Sequence, residues 1–148
     1  MYTILNNKSY ENVTQFNFQG FSMYPFLRPG DRLIVKRESY GPAKLGDIVL
    51  FEDKQSSSLW ELTAHRIVRI ISRNRFITKG DNLLKHDSGI RSSHEIVGQA
   101  VMLVRKNRLV PLTKGLYGWV GRLMACYSKR NITPGIIMSR VKQLAGLT

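Results

Sequence analysis

Four side chains of this sequence have the types and the chain order that serine-based acyl transfer requires. Ser22 lies in a sharp turn between two large apolar residues, just before the strand-like residues 32–37. A serine hydroxyl is a poor nucleophile at neutral pH and needs a nearby base to take its proton. His65 is the candidate base because it lies inside a β-rich run, where a strand fixes the direction of a side chain. A carboxylate would set the tautomer of that imidazole, and both Asp81 and Asp87 follow the next predicted strand.

Each of these residues also has an ordinary structural explanation. Taken singly, Ser22 is more often a turn or cap residue, and His65 a hydrogen-bonded residue of a half-buried strand. Asp81, in a Gly-Asp-Asn sequence, is by default an Asx-turn residue. The sequence leaves open whether Asp81 or Asp87 approaches His65, because geometry and not chain order defines a catalytic set.

The other histidines and the single cysteine indicate no metal or disulfide chemistry. His86 and His94 fall in polar loops, and together with Cys126 they lack the spacing of zinc ligands. Cys126 is predicted to be a packing residue on an apolar helix face. One cysteine cannot form an internal disulfide. We therefore expect neither a metal nor another cofactor.

The elements that must position the candidate residues are mostly strands. Runs rich in Leu, Ile, Val and Phe, separated by Gly, Pro and Asn turns, predict seven of them. They cover residues 15–21, 32–37, 48–51, 59–71, 76–78, 95–104 and 108–112. Hairpin tips are expected at residues 72–75 and 106–107. The polar residues 79–93 are predicted to form a loop.

Helical spacing appears only near the end of the chain. The apolar face of the first predicted helix consists of Leu116, Trp119, Val120, Leu123, Met124 and Tyr127. Thr133 before Pro134 predicts the N-cap and first residue of a second helix. The sequence thus predicts a mainly β domain over residues 1–112, with its core at about 16–111, and a basic amphipathic helical appendix over residues 113–148.

The chain is strongly basic, with a formal net charge of +13 at pH 7. Such a charge attracts anionic surfaces such as phospholipid or nucleic acid. Glu95 is the last acidic side chain, so the C-terminal region is purely basic. The polar residues 1–19 have the pattern of neither a signal peptide nor a membrane span, and no run reaches the ~20 apolar residues of a spanning helix. We expect a cytoplasmic or peripheral membrane protein whose C-terminal helices contact anionic lipid or a partner protein.

Several motifs resemble those of the signal peptidase I and SOS-repressor (LexA-like) serine peptidase superfamily. The run Gly-Phe-Ser-Met-Tyr-Pro-Phe-Leu-Arg-Pro-Gly-Asp at residues 20–31 resembles its nucleophile box. Residues 46–51 are similar to its next strand, and residues 64–68, Ala-His-Arg-Ile-Val, to its base-bearing strand. Thr-Lys-Gly-Asp-Asn at residues 78–82 resembles its acidic box, and residues 98–101 its closing strand. The resemblance implies a coiled antiparallel β-sheet body.

The resemblance also implies roles for the candidate residues. Most bacterial signal peptidases and the repressors have a lysine where this chain has His65, directly before Arg66. The chain therefore resembles the histidine branch, of the endoplasmic-reticulum and archaeal type. Carried over, Ser22 is the nucleophile and His65 the base. Asp87 is the preferred partner of His65, and Asp81 is an essential structural or orienting carboxylate.

The same nucleophile box implies a substrate cleft around the serine. Many signal peptidases carry a helping hydroxyl where this chain has Gly20, so oxyanion stabilisation is left to the Ser22 backbone N–H and a neighbour. Phe21 and Met23 are expected to line the cleft or to pack beneath it, and Pro25 fits the box.

Three functional hypotheses follow. We favour a serine endopeptidase of the signal peptidase type that cleaves an extended peptide or protein substrate after a small residue, with Ser22, His65 and a supporting aspartate. The second hypothesis is a self-processing LexA-like regulator, because Ala145-Gly146 is the dipeptide that such repressors cut. The third is a catalytically silent basic module for membrane or nucleic acid. Nucleic acid is disfavoured because aromatic and basic residues are not interleaved.

Overall fold

The computed structural model describes residues 12–37, 41–52 and 62–128, which form one antiparallel sheet and one α-helix. Its strands are β1 Val13–Asn17, β2 Arg32–Lys36, β3 Ile48–Glu52, β4 Leu62–Ser72, β5 Arg75–Lys79, β6 Arg91–Ser92, β7 Ile96–Arg105 and β8 Arg108–Pro111. In space their order is β1-β2-β7-β3-β4-β5-β6, and β8 pairs with β7. A 3-10 turn covers Ser93–Glu95 and helix α1 covers Gly115–Ser128. The predicted mainly β fold with a C-terminal helix is confirmed.

Most element predictions agree with the structure to within a few residues. The hairpin tip at Lys106 and Asn107 adopts φ values of 50° and 58°, as a two-residue type I′ turn requires. The first predicted strand was placed too late, since β1 ends at Asn17 and the next residues lead into the Ser22 turn. The second predicted helix, from Pro134, lies outside the described residues.

Strand β3 lies at the centre of the sheet and is buried on both faces. Because successive side chains of a strand alternate, Ile48 and Leu50 enter one apolar cluster while Val49 and Phe51 enter another. The first cluster also holds buried residues of the Ser22 turn and of β2, β4 and β7. The turn that carries Ser22 is therefore anchored in the larger core.

The register of β4 separates two neighbouring side chains. His65 lies opposite Val49 of β3, and Arg66 lies opposite Ile48. Since β4 alternates, the side chains of His65 and Arg66 leave opposite faces of the strand. Strand β5 pairs with β4 only from Arg66 onward, where it meets Lys79. Within the described part of the chain, the edge of residues 62–65 that faces away from β3 therefore has no strand partner.

Helix α1 packs on the sheet through its smallest residues. Gly121 and Ala125 are buried, and a Cβ atom on Gly121 would lie 2.8 Å from Nη1 of Arg66. Four of the six apolar side chains predicted to share one face are exposed instead: Leu116 (71%), Trp119 (58%), Leu123 and Tyr127. The other two, Val120 and Met124, are half-buried. The interpretation of Cys126 as a packing residue is wrong, because it is exposed. No helix among the described residues is long and apolar enough to cross a membrane.

Candidate active site

The buried His65 and the half-buried Asp87 form a hydrogen-bonded pair. Nδ1 of His65 lies 2.9 Å from Oδ1 and 2.7 Å from Oδ2 of Asp87, and the two side chains are only 7% and 12% exposed. An ionised carboxylate can only accept hydrogen bonds, so Nδ1 is the nitrogen that carries the proton. The other ring nitrogen, Nε2, is then left with its lone pair whenever the ring is neutral. His65 is thus held in the tautomer that a general base needs.

Asp87 receives a second hydrogen bond from the neighbouring strand. The hydroxyl of Thr78 donates to Oδ2 over 2.6 Å, and the backbone N–H of Asp87 donates to the carbonyl of Thr78 over 3.0 Å. Burial alone would raise the pKa of this carboxyl, but the contacts with His65 and Thr78 and the charge of Arg91 hold it below 3.8. Asp87 therefore stays ionised at neutral pH.

Arg91 closes the network from the short strand β6. Its Nε donates to the Thr78 hydroxyl over 3.3 Å, and its guanidinium lies 3.6 Å from the centre of the Phe51 ring. Phe51 also meets the His65 ring edge-on, with a centroid separation of 5.9 Å. Sequence reasoning missed Thr78 and Arg91. The only signal was the membership of Thr78 in the Thr-Lys-Gly-Asp-Asn motif, because β6 is too short for a composition pattern.

Gly80 brings Ser22 next to His65. A Cβ atom on Gly80 would lie 2.7 Å from the backbone carbonyl oxygen of Ser22 and 3.0 Å from Nε2 of His65. The backbone N–H of Asn82 donates to that same carbonyl oxygen over 2.8 Å. Glycine is needed here because any larger residue would push into one or both neighbours. The turn after β5 therefore connects the serine-bearing turn to His65.

The hydroxyl and the backbone N–H of Ser22 are not used in the packing of the turn. Within the described part of the chain, neither group makes a hydrogen bond. Gly20, two residues earlier, has a φ of +91°, a left-handed conformation that favours glycine over other residues. The turn thus presents both polar groups of Ser22 without a partner among the described residues.

Asp81 belongs to a different, fully buried ion pair. Its carboxylate accepts hydrogen bonds from Nε and Nη2 of Arg66 over 2.8 and 2.7 Å, and both side chains are 1% exposed. Arg66 also donates from Nη1 to the carbonyl of Gly46 over 2.9 Å and lies 4.4 Å from the centre of the Phe26 ring. The structure thus brings Asp87 to His65 and Asp81 to Arg66.

A groove of about 500 Å³ runs past the serine. It is lined by residues 15–22 on one side and by residues 62–64 of β4 on the other, with Leu33 and Leu50 at its base. Gly20 and the exposed Phe21 belong to this lining. Met23 lies beneath the surface in the core, with no exposed area, and Pro25 is not among the lining residues.

A second cleft, of about 650 Å³, opens on the His65 side. His65, Asp87 and Arg91 line it, together with the turn residues 82–88 and Phe51. His86 contributes a buried Nε2 atom that has no hydrogen-bond partner among the described residues. Ser22 thus lines the groove and His65 lines the cleft, and the two depressions share Thr63 in their linings.

The Asp87 network predicts a specific dependence of stability on pH. Because the pKa of Asp87 is lowered by folding, this carboxylate stabilises the native state above its ordinary pKa of 3.8, and that contribution is lost as the pH falls through the lower folded value. Asp87→Asn should therefore lower the free energy of unfolding at neutral pH. The difference from the wild type should shrink below about pH 4.

Urea unfolding at a series of pH values measures this difference. Glu52→Gln is a suitable control, since Glu52 is exposed at the end of β3. If the free energy of unfolding of Asp87→Asn stays below that of the wild type by the same amount down to about pH 2, ionisation of Asp87 does not stabilise the fold.

No family model, curated protein or solved structure matches the chain. The likeness to the signal peptidase and LexA-like superfamily therefore stays a prediction based on sequence motifs. Among the described residues, no group of three or more His, Cys, Asp or Glu side chains is placed to hold a metal ion. The Ala145-Gly146 dipeptide of the self-processing hypothesis lies outside the described residues.

Proposed function

We propose that this protein is a serine endopeptidase in which Ser22 is the nucleophile and His65 the general base. One observation carries the proposal: Nδ1 of His65 is fixed by Asp87, while Nε2 lies beside Gly80 at the junction with Ser22. The arrangement supplies a nucleophile, a base and an orienting carboxylate in the roles that acyl transfer needs.

The proposed reaction has two acyl-transfer steps. Oγ of Ser22 attacks the scissile carbonyl carbon while its proton passes to Nε2 of His65, and Asp87 stabilises the resulting imidazolium. The imidazolium then gives the proton to the leaving amine as the C–N bond breaks, which leaves an acyl ester on Ser22. Water attacks this ester, with His65 again taking and returning a proton, and the acid product and free serine are released.

The unused backbone N–H of Ser22 is the candidate donor to the developing oxyanion. It makes no hydrogen bond within the described part of the chain, so it is available to a ligand. Removal of one such donor typically costs about 10²–10³ in rate, which makes its availability significant. Gly20 has no side-chain hydroxyl that could serve as a second donor, so the proposed donor is a backbone group.

The hydroxyl of Ser22 and Nε2 of His65 form no hydrogen bond in this structure. Catalytic hydrogen bonds are often long or unformed without substrate and tighten in the Michaelis complex. Both residues lie close to Gly80, since a Cβ atom there would be 2.7 Å from the Ser22 carbonyl oxygen and 3.0 Å from Nε2 of His65. We propose that a bound substrate orients the serine hydroxyl toward Nε2.

The groove favours an extended substrate. Residues 62–64 border it and present a strand edge without a partner in the described part of the chain. A peptide can add to such an edge through backbone hydrogen bonds, and the pockets between alternate side chains then give specificity. Cleavage after a small residue is what the motif resemblance implies.

A serine-directed fluorophosphonate probe tests the proposal directly. We expect it to label Ser22, and we expect the full-length protein to cleave members of a mixed peptide library. Labelling at another serine, or an uncleaved library together with an unlabelled Ser22, would overturn the proposal. The variants that locate the activity are treated in the Discussion.

We also propose an anionic membrane surface as a partner of α1. The helix turns Gly121 and Ala125 to the sheet and exposes Leu116, Trp119 and other large apolar side chains. Glu95 is the last acidic residue of the chain, whereas basic residues flank this surface. Exposed Trp and Leu side chains beside Lys and Arg are the combination that binds the interface of an anionic bilayer.

Vesicle binding checks this partner. Leu116→Ser with Trp119→Ser should weaken binding to vesicles of mixed phosphatidylserine and phosphatidylcholine by about tenfold or more, because two large apolar side chains no longer enter the bilayer. Ile71→Ser, which removes an exposed apolar residue of β4, is the matched control. Equal binding of the double variant and the wild type, or a preference for DNA over vesicles, would contradict the assignment.

A further inference from the structure

The proposed reaction determines where the peptide segment that follows the scissile bond must lie. The base that takes the serine proton must return it to the leaving nitrogen, so that nitrogen lies next to Nε2 of His65. The groove with Ser22 and the cleft with His65 share Thr63 in their linings. The peptide segment that follows the scissile bond therefore leads into the His65 cleft. This step rests on the proposed function.

Arg91 is held in that cleft in a fixed orientation. Its Nε is bound to the Thr78 hydroxyl and its planar group lies on the Phe51 ring. Its terminal amino groups make no hydrogen bond among the described residues. A guanidinium anchored through its Nε and its face presents two parallel donors, the geometry that matches a carboxylate.

The rest of the cleft adds positive charge. Lys85 is exposed on the lining and forms no ion pair within the described part of the chain, and His86 supplies a buried Nε2 without a partner. Among the described residues of the lining, Asp87 is the one carboxylate, and its oxygens accept hydrogen bonds from His65 and Thr78. A negatively charged ligand group in the cleft would thus meet the terminal amino groups of Arg91 and the exposed ammonium group of Lys85.

We infer that the His65 cleft binds an aspartate or glutamate side chain of the segment that follows the scissile bond. Arg91 pairs with that carboxylate and Lys85 adds a second, more mobile charge. Arg91 would then determine specificity for acidic leaving segments in addition to supporting Asp87.

Matched peptide substrates test this inference. From a library sequence that the wild type cleaves, we would prepare pairs that carry Glu or Gln at each of the three positions after the scissile bond. The wild type should cleave the Glu peptide of one pair with a kcat/KM about tenfold or more above that of its Gln partner, as expected for a hydrogen-bonded charge pair. Arg91→Gln should reduce this ratio to about one, and Arg91→Lys should restore part of it.

The ratio of kcat/KM for the Glu and Gln peptides distinguishes recognition of the substrate carboxylate by Arg91 from an effect of Arg91 on Asp87. An effect of Arg91 on Asp87 slows both peptides of a pair equally and leaves the ratio unchanged. Arg73→Gln, which removes an exposed arginine of the β4–β5 turn, should also leave the ratio unchanged. A wild-type ratio near one at all three positions, or a ratio that survives in Arg91→Gln, would overturn the inference.

Binding of acidic peptides to the His65 cleft can be measured without cleavage, which tests the inference separately from the proposed peptidase activity. C-terminally amidated tripeptides with Glu or Gln at one of the three positions and Ala at the others resemble leaving segments without a terminal carboxylate and need no cleavage. They can be titrated into Ser22→Ala and followed at the Arg91 Nε–H resonance. A shift with the Glu peptide alone supports the cleft even if the wild type cleaves nothing. Cleavage by the wild type without any such shift would leave the peptidase intact and reject the acidic cleft.

Discussion

Ser22→Ala and His65→Ala should each lower kcat for peptide cleavage by about 10⁴-fold or more, as the loss of a nucleophile or its base does in other serine peptidases. The first variant removes the attacking oxygen. The second removes both the proton acceptor and the donor to the leaving amine. The double variant should be no slower than either single variant, because the two residues act as one unit.

The structure makes Ser22→Ala a clean test. The serine hydroxyl makes no hydrogen bond within the described part of the chain, so its loss should change the free energy of unfolding by less than about 0.5 kcal/mol. A lost activity with an unchanged urea transition therefore reports chemistry and not folding. His65→Ala differs, since it leaves the half-buried Asp87 without its main partner and should also destabilise the fold.

Exposed residues of the same types give the controls for these two variants. Ser72→Ala at the end of β4 and His94→Ala in the 3-10 turn should keep full activity, because both residues are exposed and outside the clefts. Initial rates on a peptide from the library measure all four variants. A tenth or more of the wild-type kcat in Ser22→Ala would remove the serine from the mechanism.

The residue types and their order indicated Ser22, His65 and two aspartates as candidates, but only the motif resemblance preferred Asp87 as the partner of His65. Both aspartates follow the same strand, and composition gives no reason to prefer one of them beside His65. The choice depends on the register of β4 and β5, in which His65 and Arg66 leave opposite faces of the strand. Arg66 then takes Asp81 on one face and His65 takes Asp87 on the other.

The sequence patterns did not predict interactions between segments that are far apart in the chain. Strand β6 has two residues and is defined only by its pairing with β5, so no local pattern could indicate it or the position of Arg91. The helical period of α1 was visible, but the period alone does not say which face meets the sheet. Gly121 can come closer to Arg66 than any larger residue, and this close contact turns the large apolar side chains outward.

Asp81→Ala should cause the largest loss of stability, about 3–5 kcal/mol, because it leaves the charge of Arg66 buried without a partner. Only about 5–15 kcal/mol separates typical native and unfolded states, so this variant should lose much of its folded population on mild heating. The turn that follows Asp81 also binds the carbonyl of Ser22 through Asn82, so activity should fall as the turn loosens.

A second Arg–Asp pair in the same chain gives the matched control for Asp81→Ala. Asp31 accepts a hydrogen bond from Nε of Arg105 over 2.8 Å, but Arg105 is 26% exposed and can regain water when its partner is removed. Asp31→Ala should therefore cost less than Asp81→Ala in urea unfolding. If Asp81→Ala does not fold, Asp81→Asn keeps one acceptor for Arg66 and should show a smaller loss of the same origin. Equal losses for Asp31→Ala and Asp81→Ala would show that burial of Arg66 does not set the cost, and Asp81 would then matter to the fold only as a turn residue.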